Sequence, residues 1–74
     1  MNKNRSEFNK EFDSRRGYQG YTVEKVATLS AMSYSCLRSR LKNPKEFTVD
    51  ELMRVSKVIA GDFGIMAQLI FDGR

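Results

Sequence analysis

Apolar residues along this chain recur three and four positions apart rather than two. That spacing predicts helices throughout and no strand. Phe8 and Phe12 lie one turn apart and share the inward face of a first helix expected from Arg5 to Arg16. Glu7 and Glu11 near its start and Arg15 and Arg16 at its end suit the helix dipole, and Gly17 is the expected terminator. A turn from Tyr18 to Tyr21 follows. Thr22 then caps a second helix, with Val23, Val26, Ala27 and Leu29 on its buried side. Ser30 to Met32 make the next turn, with small Ala31 at the bend. Ser33 caps a third helix that runs to Lys42 and is anchored inward by Leu37 and Leu41. Asn43-Pro44 ends it, because the residue before proline avoids helical geometry.

Lys45 to Phe47 read as a short loop. Thr48-Val49-Asp50-Glu51 is a capping box, the clearest boundary in the chain. It opens a fourth helix that buries Leu52, Val55 and Ile59, with Met53 and Val58 alongside, and Gly61 is expected to stop it. Asp62 caps a fifth helix, Phe63 to Phe71, which carries Ile65, Met66, Leu69, Ile70 and Phe71. The expectation is a compact, all-α, five-helix domain spanning residues 1–74, with Phe8, Phe12 and Phe47 in its core.

Charge adds what periodicity leaves out. The net charge of +4 is mild, and 30% charged against 41% hydrophobic residues marks an ordinary folded chain. The distribution is more telling. Lys25, Arg38, Arg40, Lys42 and Lys45 fall in a stretch, Lys25 to Lys45, that holds no acidic residue. A helix fits the major groove of duplex DNA, a second helix can brace it, and basic residues neutralise phosphates. With Leu37 and Leu41 inward, Ser33, Tyr34, Ser35, Arg38, Ser39 and Lys42 face out. Of these, Ser33, Tyr34, Ser35, Arg38 and Ser39 are the candidates for reading base edges. Thr22, Arg40, Lys42, Asn43 and Lys45 are the candidates for holding phosphate.

Other chemistry finds little footing. There is no histidine, a single cysteine and no glycine-rich phosphate loop or metal-ligand pattern, so neither enzymatic activity nor a metal or cofactor is expected. Cys36 cannot form an internal disulfide, which fits a reducing cytoplasm, and reads as a small packing residue. The polar start of the chain lacks the apolar core of a signal peptide, and no apolar run is long enough to span a membrane.

At Thr22 to Ala60 the chain resembles the helix-turn-helix of phage Cro and repressor amino-terminal domains, the XRE-type class. The resemblance rests on Val26-Ala27 within the second helix, Ala31 at the turn, Leu37 inside the third helix, and the run RLKNPKEFTVDEL. It implies a lambda-repressor-like fold with the helix-turn-helix at about residues 22–43. It further implies a sequence-specific regulator of phage or prophage type in a bacterial cytoplasm, acting as a homodimer on a palindromic operator, with no small-molecule substrate. Members often carry glutamine at the start of the second helix, where Thr22 and Val23 are the candidates here and Val23 cannot contact phosphate as glutamine does, and glycine at the turn, where Ala31 stands. The last buried position of the third helix falls on Leu41, which turns Arg40 outward.

The fifth helix has apolar residues in too many directions for one small core. Residues 62–72 are therefore a candidate dimerisation segment, through Ile65, Met66, Ile70 and Phe71. Blander readings stand beside these. The basic residues can be a solvated face, Ser33 a cap only, and Tyr34 a packed surface ring. As a competing function, the same shell can bind an acidic protein partner, as an antirepressor or an inhibitor of a host factor.

Overall fold

Ser6, Thr22, Ser33, Thr48 and Asp62 each turn an entering chain into a helix. The side-chain oxygen of each accepts a backbone N–H three residues on, at 3.1, 3.1, 3.0, 3.0 and 2.9 Å respectively. Such a cap contributes about 1 kcal/mol. At Thr48 the box closes in both directions, because Glu51 Oε1 accepts the Thr48 N–H at 3.0 Å. The computed structural model of the chain describes residues 6–72. Over that range the helices are α1 (Glu7–Gln19), α2 (Val23–Leu29), α3 (Tyr34–Lys42), α4 (Val49–Val58) and α5 (Phe63–Asp72), with a 3-10 turn at Pro44–Glu46. No strand occurs among the described residues. No helix there is long and apolar enough to cross a membrane.

Several boundaries depart from expectation, each for an identifiable reason. The expected start at Arg5 lies outside the described residues; the cap is Ser6. Gly17 does not end α1, which continues through Tyr18 and Gln19. The left-handed position falls at Gly20 (φ 78°), where the Gly20 and Tyr21 N–H groups close back on the Gly17 and Arg16 carbonyls at 3.0 Å each. Arg16 Nη1 also donates to the Tyr21 carbonyl at 2.8 Å and so fixes the departing strand of chain.

Gly61 likewise does not supply the left-handed residue after α4. Ala60 does, at φ 59°. Gly61 is small for another reason: a Cβ there would sit 3.2 Å from Arg15 Cδ, and Arg15 Nη1 must pass to reach the Ala60 carbonyl at 3.1 Å. Ala31 repeats the pattern after α2, also at φ 59°, with the Met32 N–H returning to the Ala27 carbonyl at 2.9 Å.

Leu29 was expected inside and is 47% exposed. The buried stripe of α2 runs through Val26, Ala27 and the fully buried Ser30. Leu29 lies roughly a third of a turn off that stripe. Met53 is exposed for a similar reason, while Val58 is half-buried. The core comprises Phe8, Phe12, Val26, Ala27, Leu37, Leu52, Val55, Ile59, Met66 and Ile70. Phe8 and Phe12 stack with centroids 6.3 Å apart, and the half-buried Phe47 tilts against Phe8 at 5.4 Å. Helix α5 packs on α1 and α4, and α2 packs on α3 and α4. The Cα radius of gyration is 11.0 Å, and close packing of a chain this size gives about 11 Å.

Alanine in the left-handed region costs about 1–2 kcal/mol, and glycine relieves that at a smaller entropic cost. Ala60→Gly is therefore expected to stabilise the protein by about 1 kcal/mol, read as a higher urea midpoint at unchanged slope. A lower midpoint would show that the left-handed turn is not the strained element.

Candidate nucleic-acid interface

The outer face of α3 is built by what holds its inner face. Leu37 is fully buried, Leu41 and Cys36 are half-buried, and the Ser33 cap fixes the first turn. The last turn is fixed from a distance: Asn9 Nδ2 of α1 donates to the Leu41 carbonyl at 2.8 Å. The expected outward set is accordingly in solvent. Ser33, Tyr34, Ser35, Arg38, Ser39 and Lys42 are all exposed. Ser35 and Ser39 lie one turn apart, as do Arg38 and Lys42, so the four share one face of the helix.

Around that face, Thr22, Asn43 and Lys45 are exposed as well. The Thr22 oxygen already accepts the Lys25 N–H, which leaves its own hydrogen to donate. The Asn43 backbone is engaged on both sides, donating to the Ser39 carbonyl at 3.1 Å and accepting from Glu46 N–H at 2.9 Å. Lys25 is exposed at the start of α2.

Arg40 is the exception. It was expected to turn outward toward phosphate, yet its side chain is only 24% accessible and its fork is spent on Glu51. Arg40 Nε donates to Glu51 Oε1 at 2.9 Å and Nη2 donates to Oε2 at 3.4 Å. The same carboxylate closes the capping box of α4. Arg40 is thus a strut from α3 to the start of α4, and its charge is compensated. The exposed cations of the stretch are Lys25, Arg38, Lys42 and Lys45.

The hydrogen bond from Arg40 holds the Glu51 carboxyl below the usual glutamate range. Desolvation opposes this, and the Thr48 backbone bond adds to it. The Arg40 guanidinium is raised in turn, chiefly by the same bond. No pattern of three and four positions links residues 40 and 51, so periodicity does not announce the pair. Asn9, which sits opposite the end of α3, is equally invisible to a local reading.

The fifth helix divides the four proposed dimer residues. Ile65 and Phe71 are 48% and 64% exposed, whereas Met66 and Ile70 are 0% and 5% exposed. Met66 and Ile70 are core residues that close α5 onto α1 and α4, and are not free to meet a second copy. Phe63, 37% exposed, adds to the apolar surface of this helix.

Among the described residues, no group of three or more histidine, cysteine, aspartate or glutamate side chains is gathered as a metal would need. A cavity of about 210 Å³ opens beside Lys42, Pro44, Lys45, Leu69 and Ile70. No protein family, curated protein or solved structure matches the chain.

The depressed Glu51 value predicts a pH dependence. A carboxyl with a lowered folded pKa adds stability that is complete above the unfolded value, about 4.3, and is lost as pH falls through the folded value. Wild-type stability should therefore fall on acidification below about pH 4. Glu51→Gln should be less stable at neutral pH and show a flatter acid limb in urea unfolding. Parallel acid limbs would show that Arg40 and Glu51 are not coupled.

Proposed function

We propose that the chain is a sequence-specific double-stranded DNA-binding regulator in which α2 and α3 form a helix-turn-helix and α3 enters the major groove. The observation that carries this reading is the outer face of α3. Ser35, Arg38, Ser39 and Lys42 stand in solvent together, with no acidic residue between Lys25 and Lys45. A helix is about 10–12 Å across with its side chains, and the major groove is about 12 Å wide. Hydroxyls and an arginine at the groove floor can read base edges, and Lys25, Lys42 and Lys45 around them can hold phosphate. Operator occupancy that blocks polymerase is the mechanism, in a bacterial cytoplasm, with Cro-like control of a phage or prophage as the setting.

A homodimer on a palindromic site fits this reading. Two-fold sites are read one helical turn apart, about 34 Å, and the protein measures 28 × 28 × 22 Å. Exposed Ile65 and Phe71, with Phe63 on the same helix, are apolar residues available for such a contact. Phe71→Asp should leave the far-UV circular dichroism unchanged while halving the mass of protein that sediments with an operator duplex. An unchanged mass would remove Phe71 from the interface.

Selection of bound duplexes from a random pool tests the function directly, and a palindromic consensus is the expected result. On that consensus, Arg38→Ala should cost about 1–3 kcal/mol and relax selectivity at one base pair. Lys45→Ala should weaken all duplexes alike and lower the salt slope by about 1. Equal losses on consensus and random DNA for both variants would remove Arg38 from base reading. No enrichment from the pool would favour an acidic protein as the partner of this face.

A further inference from the structure

We infer that Tyr34 is a positioning residue that aims the Arg38 guanidinium, so that the free edge of the Arg38 fork selects a guanine. This rests on the reading of α3 as the groove helix and adds to it a specificity device and a base.

Tyr34 is the first residue of α3 after its cap, and Arg38 follows one turn later on the same side. Arg38 Nη1 donates to the Tyr34 hydroxyl oxygen at 2.7 Å, and the guanidinium carbon lies 5.6 Å from the ring centroid. The ring attracts the cation, and the hydroxyl accepts its hydrogen. Tyr34 is itself exposed, at 43%, and a tyrosine has only two side-chain torsions to fix. Arginine is a long, flexible chain that loses much rotational freedom when held. The stiff residue thus orders the flexible one before any ligand arrives.

The contact leaves a particular edge open. With Nη1 engaged, Arg38 Nε and Nη2 have no hydrogen-bond partner among the described residues. Those two N–H groups point the same way, as a fork of donors. In the major groove guanine offers two adjacent acceptors, N7 and O6, whereas adenine offers an acceptor beside a donor and cytosine a donor. A donor–donor edge therefore matches guanine alone among these. The other arginine of α3 makes the contrast: Arg40 has both Nε and Nη2 taken by Glu51. Two arginines on one short helix are thus held by different partners, one with its fork closed and one with its fork open.

The experiment is random-pool selection with the wild-type protein, Tyr34→Phe and Arg38→Ala, followed by titration of each against the best duplex, its single-base variants and random duplex. Wild type should enrich a guanine that Arg38→Ala releases. Tyr34→Phe should keep its circular dichroism, its random-duplex affinity and its salt slope, and should lose about tenfold of the preference for that guanine, the worth of one hydrogen bond to a charged group. Full guanine preference in Tyr34→Phe would overturn the inference and leave the DNA reading intact. So would enriched duplexes with no guanine that depends on Arg38. A wild-type protein that retains no duplex would overturn both.

Discussion

Short helices consist largely of their ends, and this protein is organised by the need to close them. Each helix leaves four N–H groups and four carbonyls without partners inside it. With helices of 7 to 13 residues, those groups are a large share of the backbone. The N-terminal ends are closed from within: Ser6, Thr22, Ser33, Thr48 and Asp62 each reach the backbone N–H three residues on. The C-terminal ends of α2, α3 and α4 are closed from across the molecule. Asn9 of α1 meets the Leu41 carbonyl, Arg54 of α4 meets the Ser30 carbonyl at 2.8 Å, and Arg15 of α1 meets the Ala60 carbonyl. Three of the four fully described helix exits also use a left-handed residue, at Gly20, Ala31 and Ala60.

This division of labour decides what α3 can present. Its start is fixed by Ser33, its end by Asn9, its underside by Leu37 and its flank by the Arg40–Glu51 strut. Four supports on a nine-residue helix leave one face with no structural duty. That face is where Ser35, Arg38, Ser39 and Lys42 stand. The basic residues of the stretch thereby separate into two kinds. Arg40 is consumed by the fold, and Lys25, Arg38, Lys42 and Lys45 are left to solvent or a polyanion.

The same economy leaves some strain. Ala31 and Ala60 occupy backbone geometry that favours glycine. The hydroxyls of Ser30 and Ser56 are buried without a hydrogen-bond partner among the described residues, and each such group costs about 1–3 kcal/mol. A 74-residue chain has a small core with which to offset such costs. Phe8, Phe12 and Phe47 carry much of that load, because aromatic side chains bury the most area per residue.

The sequence by itself determined the five helices, four of the five caps that open them, the capping box, and the inward Phe8, Phe12, Leu37, Leu52, Val55 and Ile59. All of these follow from interactions within three or four residues, which periodicity and cap chemistry express directly. It also determined that Ser33, Tyr34, Ser35, Arg38, Ser39 and Lys42 face out, because one firmly buried position, Leu37, orients them, but it turned Arg40 outward as well. The tertiary structure alone decided where α4 ends, since alanine or glycine at 60 or 61 are locally comparable. The choice is made by Arg15 of α1, which reaches the Ala60 carbonyl. It alone decided that Arg40 is a strut and that Met66 and Ile70 belong to the core while Ile65 and Phe71 stay outside. Those outcomes depend on partners 11 or more residues away, such as Glu51 for Arg40 and Asn9 for the end of α3. Spacing along a helix carries no record of such contacts.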